Sequence, residues 1–212
     1  MQKIILSTAY LPPIQYVSKF LLGEVVLETY ENYIKQSYRN RCNILAANGA
    51  FPLTIPVVKV HGTKSLISEA WIDYDLPWQK NHFKSIESAY RNSPYYEHYI
   101  DDLKIFYNTK YDLLLDFNTD LLTCILRSIG INPSILFTTC FEKEYLKDLD
   151  YRFTLSPKSA KLEDDSFFNV VEYYQVFEDR YGFTPNLSIL DLLFNEGPFA
   201  KSVLERSIKK GE

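Results

Sequence analysis

Glycine is scarce in this 212-residue chain. Seven occur, at positions 23, 49, 62, 130, 182, 197 and 211. No two are close enough to form G-x-G-x-x-G or a Walker A loop, so the glycine-rich phosphate cradles are excluded. Cysteine is as thin: Cys42, Cys124 and Cys140 make an odd count without a C-x-x-C, which gives neither a disulfide framework nor a zinc ribbon. The three histidines, His61, His82 and His98, form no H-E-x-x-H, and no G-x-S-x-G nucleophile elbow is present. No apolar run approaches the ~20 residues of a membrane-spanning helix. The opening MQKIILSTAYLPPIQY carries no cleavage-site pattern. These absences lead us to expect a soluble, cytoplasmic protein with no metal site and no cofactor.

Nor is there a surplus of one charge. The 23 Lys+Arg against 27 Asp+Glu leave −4, which argues against a globally basic nucleic-acid binder. What is plentiful is apolar and aromatic surface. Hydrophobic residues make up 46% of the chain, enough for a real core at this length. Tyrosine (17) outnumbers phenylalanine (14). A ring with a polar tip suits half-buried positions and the walls of polar-ligand sites, or simply a core whose hydroxyls reach solvent.

Read in order, Lys3–Ser7 is a short buried strand. The Tyr10-Leu11-Pro12-Pro13 loop follows, where the prolines forbid regular structure. Residues 16–22 read as a short helix ending at Gly23, and 25–28 as a second strand. Strand–helix–strand favours a parallel crossover, with the Pro-Pro loop at the C-terminal edge where open α/β sheets bind ligands. Asn48-Gly49 marks a turn, and strands are expected over 51–58 and 66–72. Asp75 is a candidate cap for a helix on which Trp78, His82, Ile86 and Tyr90 recur at four-residue steps. Another helix opens at Pro94, and Asn118 is a candidate cap for one running to Gly130. Residues 135–139 read as a strand, 148–165 as an exposed loop and 170–181 as a helix. The PNLSILDLLFNEGP stretch gives a helix stopped near Gly197, and a last helix opens at Pro198. The fold class is therefore α/β, with an N-terminal Rossmann-like, mostly parallel sheet and a largely helical C-terminal half packed on it. We take residues 1–212 as one domain, with 1–76 mainly α/β core and 77–212 mainly helical.

Four constellations carry candidate chemistry. Tyr10 and Gln15 sit on a proline-stiffened loop, and Gln15 could bond a sugar hydroxyl or lie idle on the helix surface. Lys35, Arg39 and Arg41, with Asn40 between the arginines, put three cations within seven residues of an acidic chain. Guanidinium forks grip phosphate or carboxylate at two points, so these residues suit an anionic small molecule. Ion pairs to Glu28 and Glu31 are the competing account. His82, beside Trp78 and near Tyr90, is the best general base in the chain, though a histidine on an apolar face is more often a satisfied core residue. Ser188, Asp191 and Asn195 form a polar stripe on the last long helix, with Asp191 facing a ligand or holding a neighbouring loop.

At these same stretches the chain resembles the WbqC-like family of bacterial proteins. The resemblance is carried by LSTAYLPPIQYVSKFLLGEVVLETYENYIKQSYRNRCNI, FPLTIPVV, ISEAWIDYDLPWQKNHFKSIESAYRNSPYY and FTPNLSILDLLFNEGP, in the family's order. The family often opens with H-Q-P-N-Y-L-P-W. Here Tyr10, Leu11 and Pro12 are kept, and the histidine and glutamine are not. Its K-x-x-x-R-N-R is kept as Lys35, Arg39, Asn40 and Arg41. Its W-x-x-x-H is kept as Trp78 and His82, followed by Ser85-Ile86 and Tyr90. The resemblance implies bacterial surface-polysaccharide (O-antigen) biosynthesis and a transferase moving an acyl or aminoacyl group to an amino sugar. A nucleotide-sugar or sugar phosphate would be the anionic partner, with no nucleic acid and no membrane span. A non-catalytic assembly or regulatory protein of the same pathway is the alternative. Strand, short loop and helix also resemble nucleotidyltransferase domains, whose H-x-G-H is missing.

Overall fold

The structure, a computed structural model, describes residues 3–58, 65–145, 149–157 and 162–209. His61 and Gly62 lie outside these residues.

Strand β1 (Lys3–Ser7) and strand β2 (Glu24–Glu28) pair in parallel, Ile4 opposite Val25 and Leu6 opposite Leu27. Each is buried at every position but its first, as expected of strands with elements on both faces. Between them lies α1 (Ile14–Ser18), continued by a 3₁₀ turn over Lys19–Leu21. Two more parallel strands complete the sheet, β5 (Ile135–Phe137) beside β2 and β6 (Leu149–Asp150) beside β1. The order is β5-β2-β1-β6. The chain thus steps outward from β1 through β2 to β5, then returns to the other side of β1. This is the arrangement of a mononucleotide-binding half of the Rossmann fold.

A separate antiparallel hairpin, β3 (Arg41–Ala46) and β4 (Gly49–Thr54), turns at Ala47-Asn48. The expected strand at 51–58 therefore starts earlier and stops at Thr54. Pro56 lies just beyond it, a residue with no N–H to give a ladder. Residues 66–72 form a 3₁₀ turn (Ile67–Glu69) flanked by single bridges rather than a strand.

Helices supply the rest: α2 (Trp78–Tyr90), α3 (Tyr96–Asn108), α4 (Leu114–Ser128), α5 (Glu178–Tyr181), α6 (Ile189–Glu196) and α7 (Ala200–Arg206). The four-residue pattern on α2 is realised: Trp78, His82, Ile86 and Tyr90 are all buried. Three local readings change. Asp75 does not cap α2, which begins after Pro77 without a side-chain cap; Asp73 Oδ1 instead accepts from the Asp75 N–H. Helix α4 begins four residues before Asn118, so Asn118 is interior, and its Nδ2 donates to Thr8 Oγ1 and to the Arg39 carbonyl. Only 178–181 of the expected 170–181 helix is helical, and in the irregular chain before it Tyr173 and Gln175 bond to Asp191.

One contiguous buried cluster takes in β1, β2, the hairpin, α2 to α4 and α6 to α7. Ser188 accepts from Leu190 N to cap α6. The Ile189 N–H reaches the Pro12 carbonyl and the Ser188 N–H reaches Asn43, so α6 is fastened to the loop after β1 and to the hairpin.

Candidate functional site

In an open parallel sheet, ligands bind beyond the carboxyl ends of the strands where the strand order reverses. Here that point lies between β1 and β6. The loop leaving β1 is held in an uncommon conformation, with Leu11 at φ 40 and buried among Pro12, Pro13 and α6. Such backbone conformations cost about 1–3 kcal/mol and concentrate at functional sites.

The carboxyl edge is occupied by an enclosed ionic network. Arg39 forks onto Glu31, with Nε donating to Oε1 at 2.7 Å and Nη2 to Oε2, and Nη2 also donates to Ser7 Oγ. Arg152, at the end of β6, donates from Nη1 to Glu28 Oε2 at 2.9 Å and from Nη2 to Asp150 Oδ2 at 2.7 Å. Its remaining donors reach Asp150 and the carbonyls of Glu142 and Lys143, and the rings of Phe141, Tyr145 and Phe153 surround the guanidinium. Arg152 is thus saturated, whereas Arg39 Nη1 makes no hydrogen bond among the described residues. Both arginines line a narrow crevice with Ser7, Thr8, Tyr16 and Tyr151, of only about 10 Å³. Across Tyr151 and Leu155 it adjoins a cavity of about 470 Å³ at the β6 edge, walled by Gln15, Asp150, Tyr151, Phe153, Asp164 and Asp165. Gln15 Nε2 donates to Asp165 Oδ2 at 2.9 Å, and Lys19, fully covered, pairs with the same oxygen while lying over the Tyr151 ring. Burial lowers the Lys19 pKa, and the Asp165 carboxylate opposes that shift.

The candidates from the sequence fall into separate places. Tyr10, His82 and Trp78 do come together, inside the core. The Tyr107 and Tyr10 hydroxyls are 2.9 Å apart, Tyr10 Oη lies 3.0 Å from His82 Nδ1, and Trp78 meets the imidazole edge-on. Burial lowers the His82 pKa to about 4, while a hydrogen bond to the Thr54 backbone raises it. The Tyr10 hydroxyl thus bridges the imidazole and the Tyr107 hydroxyl. The imidazole is neutral and lines neither the crevice nor the cavity. Asn40 is buried and donates from Nδ2 to the Ile55 carbonyl. Arg41 opens β3 and donates to Thr54 Oγ1. Lys35 is exposed. The three cations therefore do not share one face. Residues 32–40 turn rather than coil into a helix, with Gln36 at φ 57, and Glu31 draws Arg39 inward. Tyr90 packs on Phe194 of α6. Asp191 Oδ2 accepts from Tyr173 Oη at 2.7 Å and Gln175 Nε2 at 2.9 Å, which ties the 170–177 segment to α6.

Sequence reasoning missed Lys19, Asp150, Tyr151, Arg152 and Asp165. The stretch holding the last four read only as an irregular loop. Among the described residues no group of three or more His, Cys, Asp and Glu side chains is placed to hold a metal ion, and no helix is long and apolar enough to cross a membrane.

A parallel sheet ordered 3-2-1-4, with a crevice at its reversal point, defines a Rossmann-like α/β protein. The match to known families is specific: residues 8–156 match the WbqC-like protein family, and the chain belongs to it. It is also similar, at 26% identity over 92% of this chain and 91% of the relative, to the uncharacterized protein Rv1507c of Mycobacterium tuberculosis. No solved structure matches the chain.

Proposed function

We propose that this protein binds an activated sugar over the carboxyl edge of its parallel sheet and acts as a transferase in bacterial surface-polysaccharide biosynthesis, moving an acyl or aminoacyl group to an amino sugar. The observation that carries this reading is the position of the crevice and cavity at the reversal of strand order between β1 and β6. The pathway in this reading is what the resemblance to the WbqC-like family implies. The ligand in this reading is a nucleotide-sugar or sugar phosphate bound in the cavity of about 470 Å³, since the crevice at Arg39, of about 10 Å³, has room for no more than a water. Gln15 fixes the cavity wall. Tyr10, Asn40, Trp78, His82, Tyr90 and Asp191 line neither the cavity nor the crevice and serve the fold in this reading.

A thermal-shift screen against nucleotide-sugars, sugar phosphates and acyl donors tests this. At least one activated sugar should raise the melting temperature, and the rise should shrink in Tyr151→Ala measured against that variant's own baseline, since that ring walls the cavity. No shift with any activated sugar overturns the reading. One observation favours a non-catalytic assembly role instead: His82 is neutral and away from the cavity, and carboxylates already pair with Arg39 and Arg152. Binding of an activated sugar without any group transfer detected by mass spectrometry would select that second reading.

A further inference from the structure

We infer that the cavity beside β6 holds the base of a nucleotide-sugar, stacked on the Phe153 and Tyr151 rings. This deepens the reading above, which admits a nucleotide-sugar or a sugar phosphate, and rests on it.

The wall presents three aromatic rings, Tyr151, Phe153 and Phe167, around a volume of about 470 Å³. Cavities of about 300–1,000 Å³ suit ligands of several rings, and a monosaccharide phosphate alone leaves much of this one unfilled. Phe153 is 54% exposed. A ring without a polar tip gains nothing from that exposure, and a flat partner laid on it takes its face out of water.

What lies behind the rings decides between a base and a sugar. The Arg152 guanidinium carbon is 5.3 Å from the centre of the Phe153 ring, and Lys19 Nζ is 4.5 Å from the centre of the Tyr151 ring. Both cations are 0% exposed and neither lines the cavity, so each covers the inner face of its ring. Both are also fixed in place, Arg152 by Glu28 and Asp150, and Lys19 by Asp165. A cation over one face of a ring draws electron density away from the other. The C–H bonds of a sugar are attracted to an electron-rich face and lose by this. The electron-rich face of a nucleobase stacks better on a depleted one. Every base also carries a ring or exocyclic N–H in its plane. Asp164, exposed at the same wall and in no ion pair among the described residues, has carboxylate oxygens to accept it.

Saturation-transfer NMR titrations of the full chain with ADP, GDP, CDP, UDP and glucose 1-phosphate test the assignment. At least one nucleotide should bind, with its base protons saturated more than its ribose protons, and at least about fivefold more tightly than glucose 1-phosphate. Phe153 is not part of the buried core, so its variants should fold. Phe153→Ala should weaken that nucleotide at least about fivefold. Phe153→Trp, which keeps a stacking face, should recover most of the loss, a rescue that a merely structural role for the side chain would not give. Glucose 1-phosphate binding as tightly as every nucleotide, nucleotide affinity unchanged in Phe153→Ala, no recovery in Phe153→Trp, or no nucleotide binding overturns the inference. If one of these outcomes occurs while an activated sugar still raises the melting temperature, the base site alone is lost. If nothing binds in either experiment, both readings fall.

Discussion

Asp191 gives the sharpest quantitative expectation. Its carboxylate is 2% exposed on the buried face of α6, with donors from Tyr173 and Gln175 on Oδ2. Burial raises its pKa from 3.8 to about 6, and hydrogen bonding from Tyr173, Gln175 and Tyr90 holds it below where desolvation alone would put it. The folded protein therefore holds a proton on Asp191 at pH values where the unfolded chain has released it. Stability from this group is highest below about pH 4, falls as pH rises through the window between about 4 and 6, and stays reduced above. A shift of about two units corresponds to about 3 kcal/mol. Asp191→Asn keeps an oxygen for the two donors and removes the titration. Urea unfolding of both proteins from about pH 4 to about pH 7.5 isolates the effect, because all other titrations are shared. The variant's stability minus that of the parent should rise by about 3 kcal/mol across this range. A difference that stays flat to within about 1 kcal/mol would refute the claim that a desolvated carboxylate sits there.

Three further expectations concern stability and use denaturant midpoints. Arg152→Ala leaves Glu28 buried without its cation and should cost about 3–5 kcal/mol, whereas an exposed pair would cost under about 1 kcal/mol; a loss of that smaller size would show that the network is solvated. His82→Leu should cost about 1–3 kcal/mol, because the Tyr10 hydroxyl loses its partner inside the core; an unchanged midpoint would place His82 outside that network. Gly197 has φ 52, and an added Cβ would meet the Tyr95 ring at 2.4 Å, so Gly197→Ala should cost about 1–3 kcal/mol, and a neutral substitution would rule out that close approach.

Local pattern carried much of the architecture. The apolar runs KIILS and VVLE read as short covered strands, and residues at four-residue steps from Trp78 to Tyr90 read as one helix face. Both follow from the chain's own geometry, so both were legible without a partner in view, as was the α/β class. The family was legible through the same motifs.

What surrounds each buried side was decided elsewhere in the chain. Arg39 read equally well as an anion clamp or an ion-pair partner, and its bond to Glu31 arises only once the 32–40 turn brings the two together. Arg152 meets Glu28 across 124 positions, and Gln15 meets Asp165 across 150. Strand β6 is two residues long, too short for any periodicity, and its place beside β1 creates the crevice. His82 shows the division most plainly. Its spacing on α2 determined that it would be buried, but whether it met a ligand or a tyrosine depended on Tyr10 arriving from 72 positions away. Periodicity encodes which face leaves water, and only long-range packing chooses the group that face meets.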